Sequence, residues 1–543
     1  QTVKNLEIKT EWASKLAGAI QIPTVSRDND DLSLEELSNL HLYLKTTFPD
    51  VFSSSFVEVT AVNEHSLLLS VSGSQITKNP YLLAAHLDVV PAGDLDRWDH
   101  PPFQDQIISE EGVEYVFGRG ALDDKHSVIG ILQALEEILK DGGRPKRSFY
   151  IGFGHDEEVG GEQGAANIAL ELQTILEEQQ QTLDFILDEG MYVTQGLVPG
   201  VDSPVIYIGV VEKGSATIEL SVDGVQGHSS IPPRESAIGI LSAGVAHLEQ
   251  NRHPAYFSQG PEYDTMEYLA PHASFLYKLI FSNLWLLSGA LSSFLAGDST
   301  TDALQRTTTA VTMFNAGIKE NVMPSIAKAT VNHRIHPTSN LEDVLVHDTN
   351  VIHDARIKIK VLDYFPPPRI SPYSDDSLPF QTIAGAALQV FPDGNITPGT
   401  LVANTDTKHY LNFTENIYRF TPSFVRKTDV SRFHGFNERI SVDNFAQVVQ
   451  FYFTLMTNAD FLVEPKEEGS GLDAVEELEG SAELKAEETE EEGEDEKEET
   501  GEEEEDEKEE TGEEEEDEKE ETREEEEKQD SEFQDYDVVN SDV

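Results

Sequence analysis

Short apolar runs that each end in a cluster of acidic and histidine residues set the strongest limit on how this chain can fold. Residues 81–85 run into His86-Leu-Asp88, residues 148–153 into Gly154-His-Asp-Glu157-Glu158, and residues 185–187 into Asp188-Glu189-Gly190. Longer helical patterns, such as residues 127–140, lie between them. Apolar runs of this length read as strands buried on both faces, and their alternation with helices reads as α/β with a central, mostly parallel sheet. Side chains just past the carboxyl ends of such strands line the crevice where sites form in open α/β sheets.

The texture changes near Val211. Beyond it, residues 216–223 and 327–335 read as strands around the helical stretches 236–250 and 264–295, which together suggest an inserted α+β unit. Strand and helix signals resume after about Ser371 and end in residues 441–458. The expected organisation is a catalytic domain in two parts, 1–211 and 371–463, interrupted by a lid of the dimerisation type at 212–370 and followed by a Glu-rich tail at 464–543.

The tail repeats the unit GEEEEDEKEET at 501–511 and again at 512–522. It holds 43 acidic and 7 basic residues, so −36 of the whole-chain net charge of −64 sits there. Such a composition cannot bury enough apolar surface to offset chain entropy, and disorder is expected, with a solvated helix as the alternative. The charge repels polyphosphate, which argues against nucleic acid and anionic membranes as electrostatic partners. Residues 279–295 are the most apolar segment, yet Ser, Asn and Gly interrupt them and they fall short of the roughly 20 residues of a membrane-spanning helix. A core helix and a surface that contacts lipid or an acyl chain are the other readings.

No cysteine is present, so any metal must be held by His and carboxylates. The chain begins with Gln1, which fits removal of a signal peptide and fits trimming equally well. Sequons at Asn395 and Asn412 lean towards the secretory route, so a secreted glycoprotein is the expectation.

Alone, each acidic cluster has a plain structural reading as a satisfied strand end or a solvated turn. Together with Gly118-Arg-Gly-Ala-Leu-Asp123-Asp124-Lys125 and His434-Gly-Phe-Asn-Glu438, they supply the N/O ligand set of a two-metal site. The order HLD, GRGALDDK, GHDEE, LDEG and HGFNE resembles the zinc-dependent aminoacylase/carboxypeptidase family, and the match extends through GHSSIPP, RTTTAVTMFNAGIKENVMPS, NHRIHP and NTDTKHY. Within that family the chain is most similar to the secreted branch that makes and breaks N-fatty-acyl amino acids, over about residues 5–460. The acidic tail has no counterpart there.

The resemblance implies two Zn2+ per subunit, with His86 on one, His434 on the other and Asp123 bridging, while Glu158 and Asp188 complete the two spheres. Glu189, next to Asp188, is the competing ligand. The resemblance also implies that Asp88 accepts the outer ring N–H of His86 and that Glu157 is the general base. In the lid, His228 matches a residue that donates to the oxyanion, in some members from the second subunit of a dimer. Asn321 and Arg334 match residues that grip the substrate carboxylate, a task suited to the planar fork of Arg. The plain alternative for these three is a lid residue in a surface ion pair. His126 departs from the small or amide residue common after the Lys, and Gly160-Gly161 receives no role.

The implied activity is hydrolysis of N-fatty-acyl amino acids and the reverse condensation of fatty acid with amino acid. The expected partners are those small molecules, a lipid or lipoprotein surface, and a second copy of the chain docked through the lid. A dipeptidase or carboxypeptidase would share every ligand. A non-catalytic protein whose tail captures calcium or basic partners would have no need of Glu157 beside a full ligand set.

Overall fold

The computed structural model describes residues 4–6, 10–75, 78–104 and 106–461, so the Glu-rich tail lies outside the described residues. All of these residues fall in one packed unit, Gln1–Pro465. Its centre is an eight-stranded sheet in the order Asn395–Leu401, Val205–Glu212, Ile417–Arg426, Ile186–Gln195, Tyr81–His86, Phe149–Gly154, Ser66–Val71 and Val57–Val62. The four middle strands run parallel, and antiparallel neighbours flank them on both sides.

Burial on both faces explains the unbroken apolar runs of the middle strands. Tyr81–His86 and Phe149–Gly154 are buried at every position. Leu83 and Ala85 pack on one side with the helices Thr10–Ile20, Lys125–Leu139 and Val442–Ala459. Leu82 and Ala84 pack on the other with Ile168, Leu172 and Leu176 of the helix Ala165–Gln179. The alternation of side chains along a strand thus feeds two separate helical layers.

A second sheet, antiparallel throughout, has the order Thr308–Ala316, Ile326–Ile335, Gly214–Asp223 and Lys358–Phe365. Gly214–Asp223 alternates buried and half-buried residues, and Ile218, Leu220 and Val222 meet Leu241 and Leu248 of the helix Ala237–Gln250 and Ile352 of the helix Leu341–Ile352. The chain then returns to the first sheet through Asn395–Leu401 and Ile417–Arg426.

The helical stretch expected over residues 264–295 is broken in the structure. It comprises Pro261–Leu269, Phe275–Phe281 and Leu284–Leu295, and the last two are bent by 112°. Pro271 cannot continue the first helix. At the bend, the Asn283 amide donates to the Leu279 carbonyl at 2.8 Å and satisfies a group that the helix end leaves open. Among the described residues no single helix is long and apolar enough to cross a membrane. Phe281, Leu284, Leu291 and Leu295 pack inward with Val198, Val201 and Val205. Phe275 and Trp285 lie on the outside, 86% and 76% exposed.

Candidate metal centre

The acidic and histidine clusters meet across three adjacent parallel strands, at the carboxyl ends of two and early in the third. His86 closes the strand Tyr81–His86, Glu157 and Glu158 follow Phe149–Gly154, and Asp188 and Glu189 lie early in Ile186–Gln195. Asp123 precedes the helix Lys125–Leu139, and its carboxylate lies between two histidines. One oxygen is 3.0 Å from His86 Nε2 and the other 3.0 Å from His434 Nε2. His434 Nε2 is also 3.2 Å from Glu158 Oε2, and His86 Nε2 is 3.5 Å from Glu189 Oε1. Residues up to 348 positions apart in sequence are gathered here only because the sheet aligns their strands, with His434 held in the left-handed region at φ 54°.

Of the two adjacent candidates Asp188 and Glu189, it is Glu189 whose carboxylate approaches His86, while Asp188 is buried with Oδ2 unbonded. Its Oδ1 accepts the Glu189 backbone N–H at 2.9 Å, while Glu189 faces His86. The cause is a bulge: pairing with the neighbouring strand passes from Asp188–Arg419 to Met191–Phe420, which leaves Glu189 and Gly190 unpaired. A bulge re-aims side chains. Gly190 takes φ +138°, and a Cβ there would come 2.7 Å from Arg419 Cβ.

Asp88 lies beside His86. His86 Nδ1 is 3.0 Å from the Asp88 carbonyl oxygen and 3.2 Å from its carboxylate. The same carboxylate accepts the backbone N–H groups of Glu157 at 3.1 Å and Glu158 at 3.2 Å, so it fixes both the imidazole and the loop that carries the proposed base. Burial, reinforced by Glu189, Asp406 and Glu158 against the opposing effect of His86, holds the Glu157 carboxyl well above its ordinary range.

The residues expected to act from a lid make their contacts elsewhere. His228 and Asn321 are exposed near each other, where Gly227–His228 pairs with Val322–Met323. His228 Nδ1 meets Ser230 Oγ at 2.7 Å, and the Asn321 carbonyl accepts the Ser229 N–H at 3.1 Å. Arg334 is half-buried and donates to Asn404 Oδ1. His126 is buried with Nε2 2.8 Å from Ser423 Oγ, so its departure from the family pattern serves the packing of the helix it starts.

Two buried carboxylates support the group without having been assigned a role from the sequence. Glu438 Oε1 accepts the N–H groups of Gly120, Leu122 and Asp123 at 3.0, 2.7 and 3.2 Å, and its Oε2 takes a 2.6 Å bond from Arg119. It shapes the loop that presents Asp123. The signal was the HGFNE motif itself, in which Glu438 follows His434 by one helical turn of sequence. Asp406, from the NTDTKHY motif, is buried with Oδ1 unbonded, and a Cβ at Gly154 would come 2.5 Å from its Oδ2. Gly161 likewise leaves room for Asp406, which gives the Gly160-Gly161 pair a structural reason.

The donor set fits a metal. His86, Asp123 and Glu158 each offer an atom within 4.8 Å of the others, as do His86, Asp124 and Glu189. Burying this many carboxylates together is costly unless cations balance them.

The sequence model of peptidase family M20/M25/M40 matches residues 82–458. The chain belongs to this family. Among the curated relatives of this M20-family chain, the N-fatty-acyl-amino acid synthase/hydrolase of Danio rerio is 47% identical, over 81% of this chain and 84% of that protein. The probable carboxypeptidase S-like 2 of Dictyostelium discoideum is 41% identical over 83% of this chain and 85% of that protein. Among solved structures, the M20 family metallo-carboxypeptidase of Sulfolobus solfataricus shares the fold, with TM-score 0.59 and 16% identity over 83% of this chain and 100% of that one.

Proposed function

We propose that this M20-family chain is a metal-dependent amidohydrolase that hydrolyses N-fatty-acyl amino acids and catalyses the reverse condensation. The observation that carries the chemistry is Asp123, which turns one oxygen to His86 and the other to His434, as a carboxylate shared by two cations would. His86 and Glu189 would hold one ion, His434 and Glu158 the other, and zinc is the proposed metal. Asp188 keeps the bulge in place through the Glu189 N–H.

Such ions, when bound, lower the pKa of a water and polarise the amide carbonyl. Glu157 takes the proton from that water and returns it to the leaving amine, a role that suits a carboxyl whose pKa burial has raised. Asp88 fixes the ring of His86 through Nδ1. His228 and Asn321 would assist from the lid of a second copy, and Arg334 would meet the substrate carboxylate once its bond to Asn404 opens.

The fatty-acyl substrate class rests on the Danio rerio relative's name and on the exposed apolar helices Phe275–Phe281 and Leu284–Leu295, a surface fit for an acyl chain or a lipid particle. Secretion is part of the same proposal. The carboxypeptidase-like relative supports a second reading, action on short peptides with the same metal ligands. A panel of oleoyl and acetyl amides of one amino acid, with dipeptides beside them, separates the readings by kcat/KM. Oleoyl amides are expected to lead, and a dipeptide preference would reverse the assignment. Glu157→Gln is expected to lower turnover by about 10²–10⁴-fold at unchanged metal content. Full turnover in that variant removes Glu157 as the base.

A further inference from the structure

A second group of ligand-type side chains lies on the antiparallel sheet and its helices and shares no residue with the His86 cluster. His253 sits in the loop after Ala237–Gln250, His333 on the strand Ile326–Ile335, and His347 and Asp348 on the helix Leu341–Ile352. All but His347 are buried, and His347 is 16% exposed at its side chain. His253 Nε2 and His347 Nδ1 approach Asp348 Oδ1 at 3.6 and 3.3 Å, and His333 Nε2 approaches Asp348 Oδ2 at 3.0 Å.

Hydrogen bonding accounts for only one of these contacts, that between His347 Nδ1 and Asp348 Oδ1. His253 Nε2, His333 Nε2 and Asp348 Oδ2 are buried without a hydrogen-bond partner, so His333 comes within reach of Asp348 without the alignment a bond needs. Leaving such groups buried and unbonded is costly. A cation would relieve that cost. One atom each from His253, His347 and Asp348 lies within 4.8 Å of the other two. Ligands held about 2.0–2.1 Å from a tetrahedral zinc stand about 3.3–3.4 Å apart, close to the 3.3 and 3.6 Å seen here.

We propose that His253, His347 and Asp348 form a binding site for a divalent transition-metal ion, with His333 steadying the second oxygen of Asp348. Two imidazoles and a carboxylate suit zinc and its neighbours, whereas Mg2+ and Ca2+ take oxygen donors. The rings of His253 and His347 stack with centroids 3.8 Å apart and planes 25° from parallel, so one ring must turn out of the stack for both nitrogens to point at a single ion. The partly exposed edge at His347 leaves the fourth position to water. The ion would join the loop leaving one helix to the other helix that covers the second sheet, and so stiffen that layer.

The test uses the full chain and its His347→Gln and His253→Gln variants, loaded with zinc and dialysed against metal-free buffer. Metal per chain is counted by plasma mass spectrometry, and melting is followed with and without zinc. Each variant is expected to carry one zinc fewer than the parent, to keep its turnover and to lose part of the zinc-dependent rise in Tm. The Glu-rich tail is common to all three, so its own cation uptake cancels. Equal zinc content in the parent and both variants overturns the proposal. A His86→Ala/His434→Ala background provides the second check: it is expected to retain a zinc that His347→Gln then removes. A background that retains none also overturns the site, whatever becomes of the proposed activity.

Discussion

At the scale of single residues, buried charge decides what each carboxylate can do. Glu438 is fully buried and joins Arg119 to three backbone N–H groups of the Asp123 loop. Its removal would strand the Arg119 guanidinium, which is itself buried. Glu438→Ala is therefore expected to cost about 3–5 kcal/mol in urea unfolding, the range for breaking a buried pair from one side. A loss below about 1 kcal/mol would mean that water replaces the carboxylate. His434 shows the opposite sign of effect. Hydrogen bonding to Asp123 and Glu158 raises its pKa to about 10, so near neutral pH the metal-free protein holds a proton there. A metal needs that lone pair, so binding must release the proton, and apparent affinity should strengthen as pH rises toward 10. Calorimetric zinc titrations in two buffers of different ionisation enthalpy read this as at least one proton released per chain. Heats that do not depend on the buffer contradict it.

At the scale of elements, the bulge at Glu189 and Gly190 is the device that gives the strand Ile186–Gln195 its site. A methyl group at Gly190 meets both a disfavoured φ and the packed Arg419 side chain. Gly190→Ala is expected to destabilise the fold by about 1–3 kcal/mol and to reduce metal content, since Glu189 turns with the bulge. Normal metal content in a folded Gly190→Ala protein would separate the bulge from metal binding. The bent pair Phe275–Phe281 and Leu284–Leu295 exposes apolar side chains that the fold itself does not use. A Trp285→Ser/Leu286→Ser double variant is expected to keep its stability within about 0.5 kcal/mol per site, as surface positions do. Its kcat/KM should fall for oleoyl amides and hold for acetyl amides. Equal effects on both would detach this surface from the acyl chain.

At the scale of the molecule, the proposed oxyanion donor lies apart from the proposed base. His228 is exposed with Ser230 as its side-chain partner among the described residues, while Glu157 lies beside the histidine cluster. If a second copy supplies His228, each site takes one part from each chain, and a two-fold dimer holds two such sites. Mixing and refolding two inactive variants, His228→Ala and Glu157→Gln, is then expected to restore roughly a quarter of wild-type turnover, because half of random dimers carry one intact site. No recovery from a mixture that forms dimers would place His228 with its own chain. The large negative charge, −64 over the whole sequence, sets no part of this geometry. It bears on solubility and on which partners approach.

The sequence by itself determined the α/β class, the strands at whose ends the acidic and histidine clusters lie, and the set of residues that stand as metal-ligand candidates. These are local properties: an apolar run buried on both faces, followed at once by charged groups, has few other places to go. Even so, Asp188 and Glu189 could not be told apart along the chain, since both follow the same apolar run. Only the strand pairing, with its bulge opposite Arg419 and Phe420, turned Glu189 inward. Glu438 was visible as a motif residue, yet its task depends on backbone groups more than 300 positions away, which sequence spacing does not reveal. Of the His253, His333, His347 and Asp348 cluster, only His333 falls in a motif, NHRIHP, and nothing in that motif points to the other three. Strand, loop and helix bring its members together, and that convergence is a property of packing in three dimensions rather than of order along the chain.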